Sequence, residues 1–246
     1  RSPPMRNFNS KIPIILFAIF LVYISLILVF LTFVSESSDQ SNTTIISHIL
    51  GEKSLELKTD KSLIITVKTS SIYYSTRLKY ILETWYRLAP DKIYFVSDKP
   101  DPDLPIDLGS HFLYTDCGSS HQRVPLSCKL TAEFEIFFKA KAEWSCHFDD
   151  DNYVNVPNLA KFLSDKEPNI PHYFGKISVG KNITVVYKNE SISFAFGTGG
   201  AGFCLSRVVV ENLFELATRK ITILNVSSEL GLTDDVTLGF IICERE

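Results

Sequence analysis

The sequence has no basic excess, no paired-cysteine spacing and no internal repeat. Its 25 Lys and Arg are outnumbered by 28 Asp and Glu, giving a formal net charge of −3. That balance argues against a nucleic-acid binder, which usually carries a surplus of Lys and Arg. None of the five cysteines, Cys117, Cys128, Cys146, Cys204 and Cys243, falls into the C-x-x-C spacing of a zinc ribbon. The D-x-[DN]-x-[DN]-G loop with a later Glu, the pattern of an EF-hand calcium site, is missing. No Ser-His-Asp or Cys-His arrangement can be picked out from spacing, so no activated nucleophile is evident. Low-complexity tracts are lacking too, and 246 residues suffice for one good-sized domain plus extras.

What is present begins with a long apolar run. Ile12–Val34 carries no charge, and it exceeds the roughly 20 apolar residues a bilayer span needs. It is too long for a signal-peptide core, and no small-residue cleavage site follows. It reads as an uncleaved membrane anchor. Arg1, Arg6 and Lys11 precede it, and Glu36 and Asp39 follow, so the positive-inside rule puts residues 1–11 in the cytosol and the remainder across the membrane. The first residue is Arg1 and the first methionine Met5, which reads as a fragment or as a start at Met5. Asn-x-Ser/Thr sequons at Asn42, Asn182, Asn189 and Asn225 all lie beyond the run, in agreement with a lumenal or extracellular body. All five cysteines lie there as well; an oxidising compartment allows two disulfides with one cysteine over, against the alternative of buried free thiols. Residues 35–60, rich in Ser, Thr, Asn, Glu and Lys, read as a stem.

From Lys61 to Glu246 strand and helix signals alternate. SLIITVK (Ser62–Lys68), KIYFVSD (Lys92–Asp98), HFLYT (His111–Thr115) and Trp144–Phe148 read as strands. Leu78, Ile81, Leu82, Trp85 and Tyr86 follow helical spacing with Ser75 or Thr76 as cap, and Leu126, Leu130, Phe134 and Phe137 mark a longer helix ending near Ala142. Pro157 opens a short helix. HYFGK and SISFAF read as strands and Ser206–Leu216 as a helix. This order predicts an α/β sandwich with a mainly parallel sheet, whose ligands bind at the carboxyl ends of the strands.

At such an end stand Asp149, Asp150 and Asp151. Carboxylates this close should raise one another's pKa, and a bound Mg²⁺ or Mn²⁺ would relieve the repulsion, since hard cations take oxygen ligands. An Asp-x-Asp at a strand end can hold a metal that clamps a diphosphate. If extension continues through the cluster, Asp149 and Asp151 face one way and Asp150 the other. A solvated acidic turn is the alternative. His147 alternates with Asp149 and reads as a core or rim histidine more readily than as a metal ligand. In FGTGGAGFCLS, Gly197, Gly199 and Gly202 match G-x-G-x-x-G, but they come too late for a dinucleotide fingerprint, and no Lys-Ser/Thr follows for a phosphate loop. They read as a wall where backbone approaches a ligand, or as a tight turn before a helix. In LTDDVTLGF, Thr233, Asp234 and Asp235 are typical of a helix start, where an Asp is also placed to act as a general base. Arg77 opposes the dipole of the helix it opens, which points to an anionic partner or to plain solvation.

Five blocks in order, VKTSSIYYSTRLKYILETW (Val67–Trp85), CGSSHQRVPLSCK (Cys117–Lys129), WSCHFDDDNYVN (Trp144–Asn155), FGTGGAGFCLSR (Phe196–Arg207) and DDVTLGFI (Asp234–Ile241), resemble the Fringe family of β-1,3-N-acetylglucosaminyltransferases. The resemblance implies a GT-A type fold, a single-pass type II Golgi membrane anchor and Mn²⁺. It implies UDP-N-acetylglucosamine as donor and O-linked fucose on EGF-like repeats, as in Notch, as acceptor, with inversion at the anomeric carbon. By match to the family motif, Asp151 would bind the metal, Asp150 and Arg77 the donor, and Asp235 would be the catalytic base; Asp149, Gly199 and Gly200 are further candidates. The pattern also implies disulfides Cys117–Cys128 and Cys146–Cys204. Family members continue beyond the position of Glu246 to a histidine that completes the metal shell, so the chain reads as truncated or defective there. Core 1 galactosyltransferases share an Asp triplet and a GGAG-like wall, but HFDDDNYVN and SSHQRVPLSCK favour Fringe. An inactive lumenal binding module of the same fold is the other rival.

Overall fold

The computed structural model describes residues 62–100, 108–177, 179–219 and 221–244. The anchor and stem readings, and the sequon at Asn42, lie outside them. Among the described residues no helix is long and apolar enough to cross a membrane.

Strand β1 (Leu63–Lys68) is buried along its whole length, which suits its apolar run LIITVK to the centre of a parallel sheet covered on both faces. A short 3₁₀ turn (Ser71–Tyr73), a π turn (Tyr74–Leu78) and helix α1 (Lys79–Glu83) follow. Then come β2 (Ile93–Ser97), β3 (Phe112–Tyr114), the long α2 (Arg123–Ala140), β4 (Trp144–Asp149) and α3 (Val156–Ser164). Strands β5 (Tyr173–Gly175), β6 (Ile183–Tyr187), β7 (Glu190–Phe194) and β8 (Phe203–Ser206) precede α4 (Arg207–Thr218), α5 (Ile223–Leu230) and α6 (Asp234–Cys243). The main sheet runs β3-β2-β1-β4-β8-β5. β3, β2, β1 and β4 pair in parallel, while β8 is antiparallel to both β4 and β5. The sheet is therefore mainly parallel, as a GT-A-like α/β fold requires, with β6 and β7 forming a separate hairpin.

Alternate residues of the central strands feed two cores. On one face Ile64, Tyr94, Val96 and Leu205 pack with Leu130, Phe137, Val210, Leu238 and Phe240 from α2, α4 and α6. On the other, Ile65, Val67, Phe95 and Trp144 pack with Leu78, Leu82 and Trp85 around α1, and with Val156 and Leu163 of α3. Both cysteine pairs are joined. Cys146 and Cys204 face one another across β4 and β8, and Cys117–Cys128 closes the loop that enters α2.

Several boundaries differ from the periodicity. The segment expected as one helix through Tyr86 is a relay of 3₁₀, π and α turns, and neither Ser75 nor Thr76 caps it, since both lie inside the π turn. Arg77 accordingly does not open a helix. Its place is the last turn of the π segment, where a cation complements the local dipole. α2 stops at Ala140 because Lys141 turns left-handed, with φ of 52°. Asn155, not Pro157 alone, starts α3: its side chain accepts the Asn158 N–H. Extension does not continue through the acidic cluster. β4 ends at Asp149 and the chain turns at Asp150 and Asp151.

Candidate functional site

The parallel register sets Lys68, the last residue of β1, beside Asp149, the last of β4. Lys68 Nζ lies 3.3 Å from Asp149 Oδ1 and 2.6 Å from Asp234 Oδ2 in the first turn of α6. Burial alone would lower the Lys68 pKa, but the carboxylates of Asp234, Asp149 and Glu133 outweigh it and hold the ammonium well above its ordinary value. His147 is fully buried and stacked on Phe203, with Nδ1 2.7 Å from Glu133 Oε2 and Nε2 3.5 Å from Asp149 Oδ1. Desolvation opposes its charge, as does Lys68, yet the two carboxylates push its pKa up to about 9. Thr66 donates to the same Glu133 oxygen. These groups form a buried floor of charge reaching from α2 across β4 and β1 to α6.

The three consecutive carboxylates differ in electrostatics. Mutual repulsion predicts a raised pKa for each. Asp149 departs from that expectation: burial raises it, but Lys68 and His147 overcome burial and hold it well below the usual carboxylate range. Asp150 is raised, chiefly by burial, despite hydrogen bonds from Arg77 Nη1 at 2.8 Å and Thr69 Oγ1 at 2.8 Å. Asp151 is 55% exposed, with Oδ2 3.6 Å from Arg77 Nη1. Because the chain turns after Asp149, Asp150 and Asp151 share one cation at the rim, and the expected grouping of Asp149 with Asp151 does not form. Arg77 is steadied by the Tyr73 ring, 4.0 Å from its guanidinium carbon.

The rim, with Lys68 and Asp149 of the floor, lines an open cleft. Besides Arg77 and the three aspartates, its walls include Thr69, Ser70, Tyr73, Ser119, Ser120 and His121, none of which the motifs singled out as site residues. The Cys117–Cys128 disulfide restrains the loop carrying Ser119 to His121, and Ser70 Oγ donates to the Ser119 carbonyl. Asp98 fixes the opposite side, accepting hydrogen bonds from Ser70, Ser71 and Lys129. Burial raises its carboxyl, but those donors hold it well below the ordinary range. The spacing rule for strand ends could have found Thr69 and Ser70, which directly follow β1. Nothing local marked His121.

The glycine segment lies against the floor. A Cβ on Gly199 would sit 3.5 Å from His147 Nε2, 3.7 Å from Asp235 Cβ and 3.9 Å from Asp149 Oδ2, all ordinary contact distances. One on Gly200 would meet only Thr198, at 3.9 Å. The glycine that the packing demands is Gly202: φ is +79°, and a Cβ would lie 2.2 Å from the Phe148 ring. The segment is neither a dinucleotide turn nor a turn straight into a helix, since β8 intervenes before α4. Asp235 is half-buried at the start of α6. Its Oδ2 accepts the Gly199 N–H at 3.1 Å, and its Oδ1 accepts the Thr233 hydroxyl and the Val236 N–H, each at 2.8 Å. Oδ1 already accepts two hydrogen bonds, so the acceptor capacity left on this oriented carboxylate is on Oδ2.

Among the described residues no three His, Cys, Asp or Glu side chains could hold a metal ion by themselves. Asp149 is held by Lys68 and Asp150 by Arg77, which lies farther, at 3.6 Å, from the more exposed Asp151. The donor set therefore suits a hard cation carried mainly by a ligand's phosphate oxygens and water with one protein carboxylate, and Asp151, turned to solvent, is the carboxylate that fits. Of the sequons, Asn182 and Asn189 are exposed at the β6–β7 hairpin, Asn189 in its turn with φ of 67°. Asn225 is exposed on α5, but the hydroxyl of its sequon partner Ser227 is buried against Ser127 and the Leu232 carbonyl.

The chain is 39% identical over 184 residues to the Fringe glycosyltransferase of Drosophila melanogaster, covering 72% of this chain and 44% of that protein. It is 37% identical over 187 residues to the β-1,3-N-acetylglucosaminyltransferase lunatic fringe of Danio rerio, covering 72% and 49%. Against the human manic fringe enzyme the identity is 34% over 183 residues, covering 72% and 57%. The chain thus spans about half the length of the curated relatives it matches. The family model described as Fringe-like matches residues 58–245, the acidic turn, the glycine segment and the start of α6 included. The chain belongs to the Fringe-like family.

Proposed function

We propose that the protein is an inverting hexosyltransferase that moves N-acetylglucosamine from UDP-GlcNAc in β-1,3 linkage to O-linked fucose on EGF-like repeats of Notch type. The observation that carries the reading is the pairing of two features at one sheet edge. One is an open cleft whose rim holds Arg77, Asp150 and Asp151; the other is the oriented, half-buried carboxylate of Asp235 beside Gly199. The names of the relatives support the sugar and the linkage. The apolar run at residues 12–34, with its basic N-terminal flank, supports a single-pass membrane anchor with the folded domain on the lumenal side, which a Golgi location requires.

In this reading the cleft takes the nucleotide diphosphate. Arg77 and Asp150, clasped to one another in the free protein, orient the donor. Asp151 would hold a divalent cation, Mn²⁺ in preference, which offsets the negative charge that grows on departing UDP. Asp235 accepts the proton of the fucose hydroxyl as that oxygen bonds to the anomeric carbon and the bond from carbon to the UDP oxygen breaks. One displacement of this kind inverts the centre and needs no enzyme nucleophile, in keeping with the lack of one in the sequence. The Gly199, Thr233 and Val236 donors hold the Asp235 carboxylate in one orientation.

The test is a transfer assay with Mn²⁺, using UDP-GlcNAc and UDP-galactose against an O-fucosylated EGF repeat and a mucin-type acceptor. GlcNAc transfer to fucose is expected, falling roughly 10²–10⁴-fold in Asp235→Asn, the range a general base supplies. Equal rates in the two proteins would remove the base, and galactose transfer to the mucin-type acceptor would replace donor and acceptor together.

A further inference from the structure

Lys68 ends β1 at the floor of the cleft, and its ammonium bridges two elements far apart in sequence. It is 2.6 Å from Asp234 on α6 and 3.3 Å from Asp149 on β4, and its side chain is only 6% exposed, that of Asp234 7%. Asp234 and Asp235 are consecutive in the first turn of α6. Fixing the Asp234 side chain therefore fixes the backbone from which Asp235 projects toward Gly199. The bridge is braced from behind: Asp149 faces His147, His147 faces Glu133, and Glu133 accepts from Thr66, two residues before Lys68 on the same strand. Resting on the transferase reading above, we propose that Lys68 is a positioning residue for Asp235, an ammonium staple that sets the distance between the general base and the acidic rim.

Two features favour this role over its rivals. Lys68 Nζ donates to Asp234 Oδ2 and has the Asp149 carboxylate 3.3 Å away, so its charge is already balanced within the protein and it is poorly free to ligate a phosphate although it lines the cleft. A buried ion pair is also an inefficient way to gain stability, since apolar replacements are often as stable. Placement of groups is the better account of three charges gathered where the sheet meets the helix.

The experiment compares Lys68→Met, Lys68→Arg and the double variant Lys68→Met/Asp234→Asn with the unsubstituted protein, in GlcNAc transfer and in UDP affinity with Mn²⁺. Misplacing a catalytic group by about 1 Å can cost roughly 100-fold, so Lys68→Met should lower kcat by about that factor while UDP affinity stays within about twofold. Lys68→Arg should recover most of kcat, because it restores a cation between the two carboxylates. The double variant leaves no unmatched charge on Asp234, so it reports on kcat even if Lys68→Met fails to fold, and it should be as slow. Unchanged kcat in the double variant overturns the proposal. So does a loss of UDP affinity that matches the loss of rate, which would make Lys68 a phosphate ligand. No transfer by the unsubstituted protein would fell the transferase reading and the staple with it; transfer unaffected by removing Lys68 would fell the staple alone.

Discussion

Floor and rim of the cleft use the same residue types to opposite ends. On the floor, Glu133, His147, Asp149, Lys68 and Asp234 are packed against one another with little contact with water. At the rim, Arg77 serves both Asp150 and Asp151, and the latter faces solvent. Asp149 and Asp151 are two positions apart, yet one is enclosed by two cations and the other, with Arg77 on one side, is open to solvent. The contrast teaches that the role of a carboxylate in such a triplet follows from the turn after Asp149 and from which cation each side chain reaches, not from its place in the motif. Floor substitutions should therefore cost stability, and rim substitutions should cost binding.

The largest effect is expected on the floor. Glu133→Ala strips a fully buried His147 of its carboxylate, and removing one partner of a buried pair costs roughly 3–5 kcal/mol. Chemical denaturation should show that loss; a change below about 1 kcal/mol, typical of a surface site, would mean that the floor is not wired as described. Next come the glycines bordering it. Gly202→Ala forces a Cβ into Phe148 at a positive φ and should cost roughly 2–3 kcal/mol. Gly199→Ala meets only ordinary contacts and should cost less than about 1 kcal/mol. Comparable melting temperatures for the two variants would erase the distinction.

Acidity sharpens the comparison further. His147 carries a folded pKa of about 9 against an ordinary 6.5. Its contribution to stability is therefore complete below about 6.5 and lost as pH rises toward 9. Asp149 has the opposite sense: its depressed pKa gives stability that is present above 3.8 and lost as pH falls below it. Unfolding free energy measured across pH should thus hold between about 4 and 6.5 and decline by roughly 3 kcal/mol toward pH 9. His147→Gln should flatten the alkaline limb, and an unchanged limb would show that another group titrates there.

Much of this organisation is legible in the sequence, for physical reasons that also explain the gaps. LIITVK and IYFVS announce themselves because strands buried on both faces are continuous apolar runs. FCLS, four residues beside glycines, is too short to separate from a turn, and Ile223–Leu230, opened by β-branched residues, shows little helical preference. ITVVY lies in a hairpin whose side chains alternate only between half-buried and exposed, so its pattern is faint. The rim could be read because Asp150, Asp151 and Arg77 stand out as charges. The floor could not: Lys68 and Asp234 meet across 166 positions, and neither belongs to a spacing rule. Likewise His147 reads locally as a core histidine, and only the fold supplies its carboxylates.

The smallest structural effect carries the most direct test. Asp151→Ala, at an exposed rim position, should change unfolding free energy by less than about 0.5 kcal/mol. Titration calorimetry of UDP with and without Mn²⁺, on this variant and on the unsubstituted protein, then isolates the rim. Mn²⁺ should tighten UDP binding by about tenfold or more in the unsubstituted protein and by little in Asp151→Ala, in line with a cation held by one carboxylate and a diphosphate. UDP affinity indifferent to Mn²⁺ in the unsubstituted, folded protein would contradict the account.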